Sequence, residues 1–544
     1  MKRRDFIKLS ALGSAGAFVL NGHATNTFSS HYLLNSFDCN LVNDRCIVLV
    51  QLKGGNDGLN TIVPANQYDK YAELRPIIKL NDIGTANGLI QLDSTLALGD
   101  QIGLNPSLTG FKSLYESGKL NIIQGVSYPD HNKSHFKSTD NWLKGADGTA
   151  NSQSITTGWM SRFLENQFDY TQFLDPLGIQ LGSQSPSVGF HTEQEHRVDL
   201  NLSGQDPSGY FTLISQIGNA PISNVQSSDY GSNLSFIMNM EDNVNTYAGR
   251  ITEVFDNGSN IASYPDTKLA NQLKTVARLI HGGSKTKIFQ VTLSGFDTHN
   301  SQISGDGSHL GKHADLLTEL SEAMVAFQSD LSSLGLEDRV LSTTFSEFGR
   351  KAEENGNYGT DHGKIAPLFV FGKHVKSGIT GVNLDLDAVD TGGQLTGSQY
   401  DYRQVFTTLI QDWMGGADAI LEEAYFDDFA SQKLDIIDSE EVVPESCYQY
   451  PIGTEEIQLD LGIILYPNPA KDHCILTLEV MNPGAYSCQL YDMKGVMVRN
   501  YGWYLEQGNF EEKISLSGLA KGQYIFKVLN ESVGIQKEKK LIKL

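Results

Sequence analysis

Between Ser346 and Gly363 the chain reads SEFGRKAEENGNYGTDHG. This stretch holds a carboxylate (Glu347), a guanidinium (Arg350) and an Asp-His-Gly turn (Asp361, His362, Gly363). Carboxylates and imidazoles can share a cation, and a guanidinium can brace an anionic group through paired hydrogen bonds. Three other groupings share this character. GGNDG (54–58) offers Asp57, SYPDHNKSHF (127–136) offers His131, Ser134 and His135, and SGFDTH (294–299) offers Asp297 and His299. In extended backbone Asp297 and His299 point to the same side and can grip one ion. Oxygen and nitrogen ligands without thiolates suit zinc, manganese, iron, magnesium or calcium. Each grouping also has an ordinary reading. Asn-Asp-Gly is turn chemistry, His131 belongs to a hydrophilic loop, and Glu347 pairs with Arg350 one helical turn on. Their recurrence argues for one shared site.

The recurrence lies in what precedes them. Cys46–Leu52, Lys119–Val126, Lys285–Leu293 and Val340–Phe345 are nearly continuous apolar runs, and Ile365–Phe371 is another. Such runs fit strands buried on both faces of a parallel sheet. Leu310, Leu316, Leu317, Leu320, Met324, Phe327 and Leu331 recur at helical spacing and join the third run to the fourth. A β–α–β unit of this kind sets both carboxyl strand ends on one edge, where open α/β sheets bind ligands. The expected fold is α/β, with a doubly wound, mostly parallel sheet. Residues 150–270 are rich in Ser, Asn, Gln and Gly, and read as insertions and surface loops that cap the site. His191 and His196 there read as surface histidines. An amphipathic run with Phe406, Leu409, Ile410, Trp413 and Met414 closes the domain near residue 435.

At 544 residues the chain exceeds one compact domain. A net charge of −23 argues against a nucleic-acid partner, because that binding rests on Lys and Arg neutralising phosphates. The five cysteines form no CxxC pair, and two bridges are open in an oxidising compartment: Cys39 with Cys46, or Cys474 with Cys488. Residues 1–25 read as an export leader, with Lys2, Arg3 and Arg4 ahead of a short apolar core, Ala11–Leu20. That core is too short to span a bilayer, and no other run is long enough, so no transmembrane segment is expected in the mature protein. Residues 436–461 are acidic, carry Pro444 and Pro451, and read as a linker. From 462 onward, short alternating strands separated by turn residues fit a small β-sandwich.

GGNDGLN (54–60), SHF (134–136), GFDTH (295–299), SEFGR (346–350) and GTDHG (359–363) together resemble the domain-of-unknown-function 1501 family, over about residues 45–415. That family is assigned to the alkaline phosphatase and sulfatase superfamily. The resemblance implies an alkaline phosphatase-like catalytic domain over 26–435, with Ser134 as nucleophile. It also implies a divalent ion (zinc, manganese, magnesium or calcium) held by Asp57, Asp297, His299, Glu347 and His362. Arg350 would brace the anionic ester. The chain departs from the superfamily at Phe348, which stands where a histidine is usual, in the closer spacing of Asp297 and His299, and in lacking a sulfatase maturation motif around Ser134. RRDFIK (3–8) resembles a twin-arginine signal, which implies the twin-arginine translocase as a partner. LYPNPAKD (465–472), YDMKGVMV (491–498), LAKGQYIFKV (519–528) and KKLIKL (539–544) resemble the type IX secretion sorting domain, over 462–544. This implies passage through the periplasm to the cell surface or beyond. The expected function is an exported metal-dependent hydrolase of phosphate or sulfate esters. The alternative is a catalytically inactive secreted binding or surface protein on the same scaffold.

Overall fold

The computed structural model describes residues 18–20, 23–25, 39–169, 173–183, 185–192, 199–202, 247, 249–449, 464–480, 483–492, 497–506, 508–530 and 535–544. They fall into two compact units, 1–449 and 450–544. Most of the expected leader, much of the expected cap, and His196 lie outside the described residues.

Among the described residues the main sheet of the first unit has nine strands: β1 (Cys46–Lys53), β2 (Leu120–Ser127), β3 (Gly178–Gln180), β4 (Asp199–Asn201), β5 (Ile288–Ser294), β6 (Val340–Phe345), β7 (Ala366–Phe371), β8 (Gly378–Thr380) and β9 (Tyr400–Asp401). Their order is β8-β2-β7-β6-β1-β5-β3-β4, with β9 also paired to β2. Only β7 runs against its neighbours, β6 and β2; the other pairings are parallel. The α/β class and the mostly parallel sheet are thus as expected.

Among the described residues, the helices of the first unit include α1 (Tyr68–Leu74), α2 (Thr109–Glu116), α3 (His135–Lys144), α4 (Trp159–Gln167), α5 (Lys268–His281), α6 (Lys312–Ser333), α7 (Tyr402–Thr408) and α8 (Asp418–Ala424). The two-residue period of a strand divides β1 between two cores. Val48, Val50 and Leu52 pack with α2, α5 and α6, whereas Ile47 and Leu49 pack with α3, α4, α7 and α8. Tyr71 of α1 enters a smaller cluster with Leu59, Leu80 and Ile365. Local chemistry fixes the helix starts. The Thr267 side chain accepts from the Ala270 N–H at α5, and Asp401 with Gln404 forms a capping box at α7. The α6 stripe is as read from Leu317 to Leu331, but Leu310 precedes the helix and is 43% exposed.

The β5–α6–β6 unit sets both carboxyl ends on one edge, as expected, with β1 between the two strands. One placement differs from the sequence reading. The strand after GTDHG is antiparallel, so that motif precedes β7 at the site edge.

The second unit comprises β10 (Ile464–Tyr466), β11 (His473–Val480), β12 (Gly484–Asp492), β13 (Met497–Leu505), β14 (Gly508–Ser515), β15 (Gly522–Asn530) and β16 (Ile535–Lys543). Two antiparallel sheets, β10-β11-β14 and β13-β12-β15-β16, share a core that includes Leu476, Leu478, Leu490, Phe526, Val528 and Leu541. Strand β14, GNFEEKIS, is too charged to stand out as a strand by its pattern.

Cys39 pairs with Cys447, 408 residues away, and neither expected bridge forms; Cys46, Cys474 and Cys488 are reduced and buried. Residues 436–449, read as linker, belong to the first unit, where Ile436, Ile437 and Val443 are buried. Among the described residues no helix is long and apolar enough to cross a membrane. Replacing Cys447 with Ser should lower unfolding free energy by about 2–5 kcal/mol. Thermal unfolding with and without reductant measures this; a melting temperature unmoved by both reductant and substitution would contradict it.

Candidate metal centre at the carboxyl edge of the sheet

Strands β1, β2, β5 and β6 run the same way and end on one edge, where the reversed β7 begins. The segments after four strands and before a fifth therefore meet. Arg350, 2% exposed, ties the segments after β1, β5 and β6 to the one before β7. Its Nε donates to Gly55 O at 2.8 Å and its Nη1 to Thr360 O at 3.0 Å. Its Nη2 donates to Gly54 O, to Phe296 O at 2.9 Å and to Asp297 Oδ1 at 2.8 Å. Only a planar, multi-donor guanidinium can serve acceptors from so many directions. Gly54 is required by the same crowding. Its φ is +127°, and a Cβ there would lie 2.2 Å from Asp297 N.

Asp297 is the hub of the cluster. Its Oδ1 lies 3.2 Å from His299 Nε2 and 3.4 Å from His362 Nε2, and its Oδ2 lies 3.5 Å from His135 Nε2. The donor atoms of His135, Asp297 and His362 all lie within 4.8 Å of one another. His299 Nε2 is 2.8 Å from His362 Nε2. The far nitrogens are all held. His135 Nδ1 is 2.8 Å from Glu347 Oε1, His299 Nδ1 is 3.3 Å from Asp361 Oδ1, and His362 Nδ1 donates to the Lys133 carbonyl at 2.8 Å. Each of these partners is an acceptor and fixes the proton on Nδ1. A neutral ring then turns a bare Nε2 lone pair inward, as in metal-binding histidines. Two such lone pairs 2.8 Å apart repel unless a cation lies beside them. His135 Nε2 is also buried without a hydrogen-bond partner. These residues fit a metal ion.

Burial works to raise the Asp297 carboxyl, but hydrogen bonding and charge from Arg350 outweigh it and hold the group down to about 2. The hydrogen bond to Glu347 raises the His135 pKa, whereas burial lowers that of His362. Phe348 is buried under the rings, with centroids 4.5 Å from His362 and 4.9 Å from His135.

Of the residues singled out from sequence, Asp297, His299 and His362 converge. Glu347 lies behind His135; its Oε1 also accepts from Gly54 N–H at 2.8 Å, and its Oε2 has no partner. Asp57 is fully buried. Its Oδ2 accepts from Arg75 Nη1 at 2.7 Å and Gln302 Nε2 at 2.6 Å. Burial works to raise the Asp57 pKa, but Arg75 holds it below the usual carboxylate value. Ser134 is exposed at the start of α3, beside His135, and its side chain makes no cap hydrogen bond. His131 lies 3.0 Å from Ser127 Oγ and stacks on Tyr128. His191 is exposed, with Nδ1 3.1 Å from Thr156 O. His135 and Asp361 were not singled out as ligand or partner. Their signal was present in SHF and in the Asp-His-Gly turn. Arg75 and Gln302 carried none.

The sequence profile of the family described as "Protein of unknown function (DUF1501)" matches residues 43–411. That of the "Secretion system C-terminal sorting domain" matches 464–544, which marks the protein for the type IX secretion system and so for the cell surface or secretion. Among curated proteins none matches. Three solved structures are similar in part. One is PorZ, a surface component of the type IX secretion system of Porphyromonas gingivalis, at 18% identity and TM-score 0.13, over 20% of this chain and 14% of its own length. Another comes from work on glycosaminoglycan metabolism by Bacteroides thetaiotaomicron, at 9% identity and TM-score 0.30, over 92% and 89%. A third is the PsFucS1 sulfatase of a Pseudoalteromonas species, at 10% identity and TM-score 0.28, over 86% and 83%.

Two outcomes follow from this geometry. Arg350→Met strands the carbonyls it serves and should cost about 3–5 kcal/mol in denaturant unfolding. A loss under 1 kcal/mol would show that the loops converge without it. Burial also depresses two histidines, His131 to about 3 and His313, which faces Asn56, to about 4. Unfolded, each takes up a proton near pH 6.5. Between about pH 6.5 and 4 the unfolded chain therefore binds more protons, and stability falls as the pH drops through that window. His313→Gln should flatten this acid limb in urea titrations; an unchanged slope would contradict the assignment.

Proposed function

We propose that this chain, which belongs to the DUF1501 family, is an exported metal-dependent hydrolase of phosphate or sulfate esters. The observation that carries the reading is the convergence of His135, His299 and His362 on Asp297, each ring turned inward by an acceptor on Nδ1. His135, Asp297, His299 and His362 would hold the ion, with Glu347 and Asp361 behind two of the rings. Three imidazoles and one carboxylate favour zinc, manganese or iron over magnesium and calcium. A divalent ion in such a set supplies Lewis acidity toward an ester oxygen and a more acidic nucleophile.

The chain's own residues would do the rest. Ser134, exposed at the start of α3 and next to His135 in the chain, is the nucleophile. The α3 N-terminus, where Ser134 sits, favours an anionic group. Arg350 acts by positioning, because its donors hold the surrounding loops and Asp297. Asp57, paired with Arg75, supports the floor of the site. The Arg3–Arg4 leader supports twin-arginine passage of an already folded, metal-loaded protein.

A second reading, a secreted binding protein without turnover, is favoured by Phe348 and by the sealing of Asp57 under Arg75, which leave a single centre. Elemental analysis and an ester panel separate the two. About one metal per chain is expected in wild type, lost in His362→Ala and kept in Asp57→Asn. Ester hydrolysis should fall about a thousandfold in Ser134→Ala. Stoichiometric metal without turnover selects the second reading, and protein that stays metal-free after reconstitution overturns the hydrolase reading.

A further inference from the structure

Among the described residues of the first unit, three aromatic side chains stand largely in solvent: Phe136 at 88% exposure, Tyr358 at 58% and Tyr425 at 50%. Tyr425 lies under the Arg162 guanidinium, 4.3 Å away. The other two border the metal centre. Phe136 follows His135 in the first turn of α3. Tyr358 belongs to the loop that holds His299. In that loop, Asn355 Nδ2 donates to His299 O at 2.8 Å and to Asp361 Oδ1 at 3.2 Å, and the Tyr358 carbonyl accepts from Gln302 N–H at 2.9 Å.

Neither ring serves the fold. Phe136 is the most exposed large apolar side chain among the described residues. Tyr358 holds a left-handed backbone, φ +59°, which strains a bulky side chain. Glycine or asparagine would make the same carbonyl contact there with less strain. A strained residue with its side chain in solvent, next to a candidate site, points to a task outside stability.

We propose that Phe136 and Tyr358 are specificity-determining residues that grip the alcohol half of the ester, so that the substrates are esters of ring-bearing alcohols, sugars or phenols. This rests on the ester-hydrolase reading. An anion seated at Asp297 and the histidines lies beside the first turn of α3, through His135, and beside the 355–361 loop, through His299. Aromatic side chains there meet flat rings or the C–H faces of sugars, and gain little from a methyl group.

The test uses full-length, zinc-supplemented protein carrying Ser134→Ala to stop turnover. Dissociation constants are measured calorimetrically for phenyl, glucose 6- and methyl esters, each as phosphate and sulfate. At least one ring-bearing ester should bind more tightly than its methyl counterpart. Phe136→Ala and Tyr358→Gly should each weaken it by roughly two- to tenfold and leave the methyl esters and metal content unchanged. Tyr358→Gly should also keep or raise the melting temperature, which a structural tyrosine would not allow. Loss for the phenyl ester alone, or for the sugar ester alone, supports the proposal and names the ring. Ester binding without ring preference, or a preference untouched by both substitutions, overturns this inference only. Metal-loaded protein that binds none of the esters overturns the hydrolase reading and this inference with it.

Discussion

The site depends on one buried guanidinium. Arg350 draws carbonyls from the loops after β1 and β5 and from the segment before β7 to a single point, and adds the Asp297 carboxylate. Carbonyl dipoles crowded at one place repel one another, and a charged donor among them removes that penalty. The motifs at 54–58, 295–299 and 346–363 are therefore parts of one hydrogen-bonded knot as well as candidate ligand sources. The knot is tight enough that Gly54 has no room for a Cβ.

Above the knot, the chemistry is set by what lies behind each imidazole. A carboxylate holds His135 and another holds His299, while a main-chain carbonyl holds His362. All three fix the tautomer and aim the opposite nitrogen at Asp297. Phe348 packs an apolar ring against His135 and His362, and a less polar surrounding strengthens the charge interactions these two rings make.

Much of this was legible in the chain. The apolar runs before Gly54, Ser294 and Ser346 fix buried strands, and parallel connection places their ends together. Asp297 and His299 follow from that rule, whereas His362 precedes the reversed β7 and does not. What the pattern does not carry is strand order and direction. Nothing in Ala366–Phe371 says that it runs backward, and a helical crossover does not say that β1 will slip between β5 and β6. Nor does a local pattern distinguish a carboxylate that faces a ligand from one that faces an arginine. Asp57 is paired by Arg75 and Gln302, respectively 18 and 245 residues away. His135 was hidden by its neighbour, since Ser134 drew the nucleophile reading. The Cys39–Cys447 pairing depends on how residues 436–449 fold back, which five scattered cysteines do not reveal.

That pairing has a consequence for a protein sent outside the cell. The bond makes the 407 residues between its cysteines part of a closed ring. A protease that nicks the ring once leaves both pieces tethered, with the sheet and its edge still assembled. Release of a fragment would need a second cut or a reductant, and an oxidising exterior withholds the reductant.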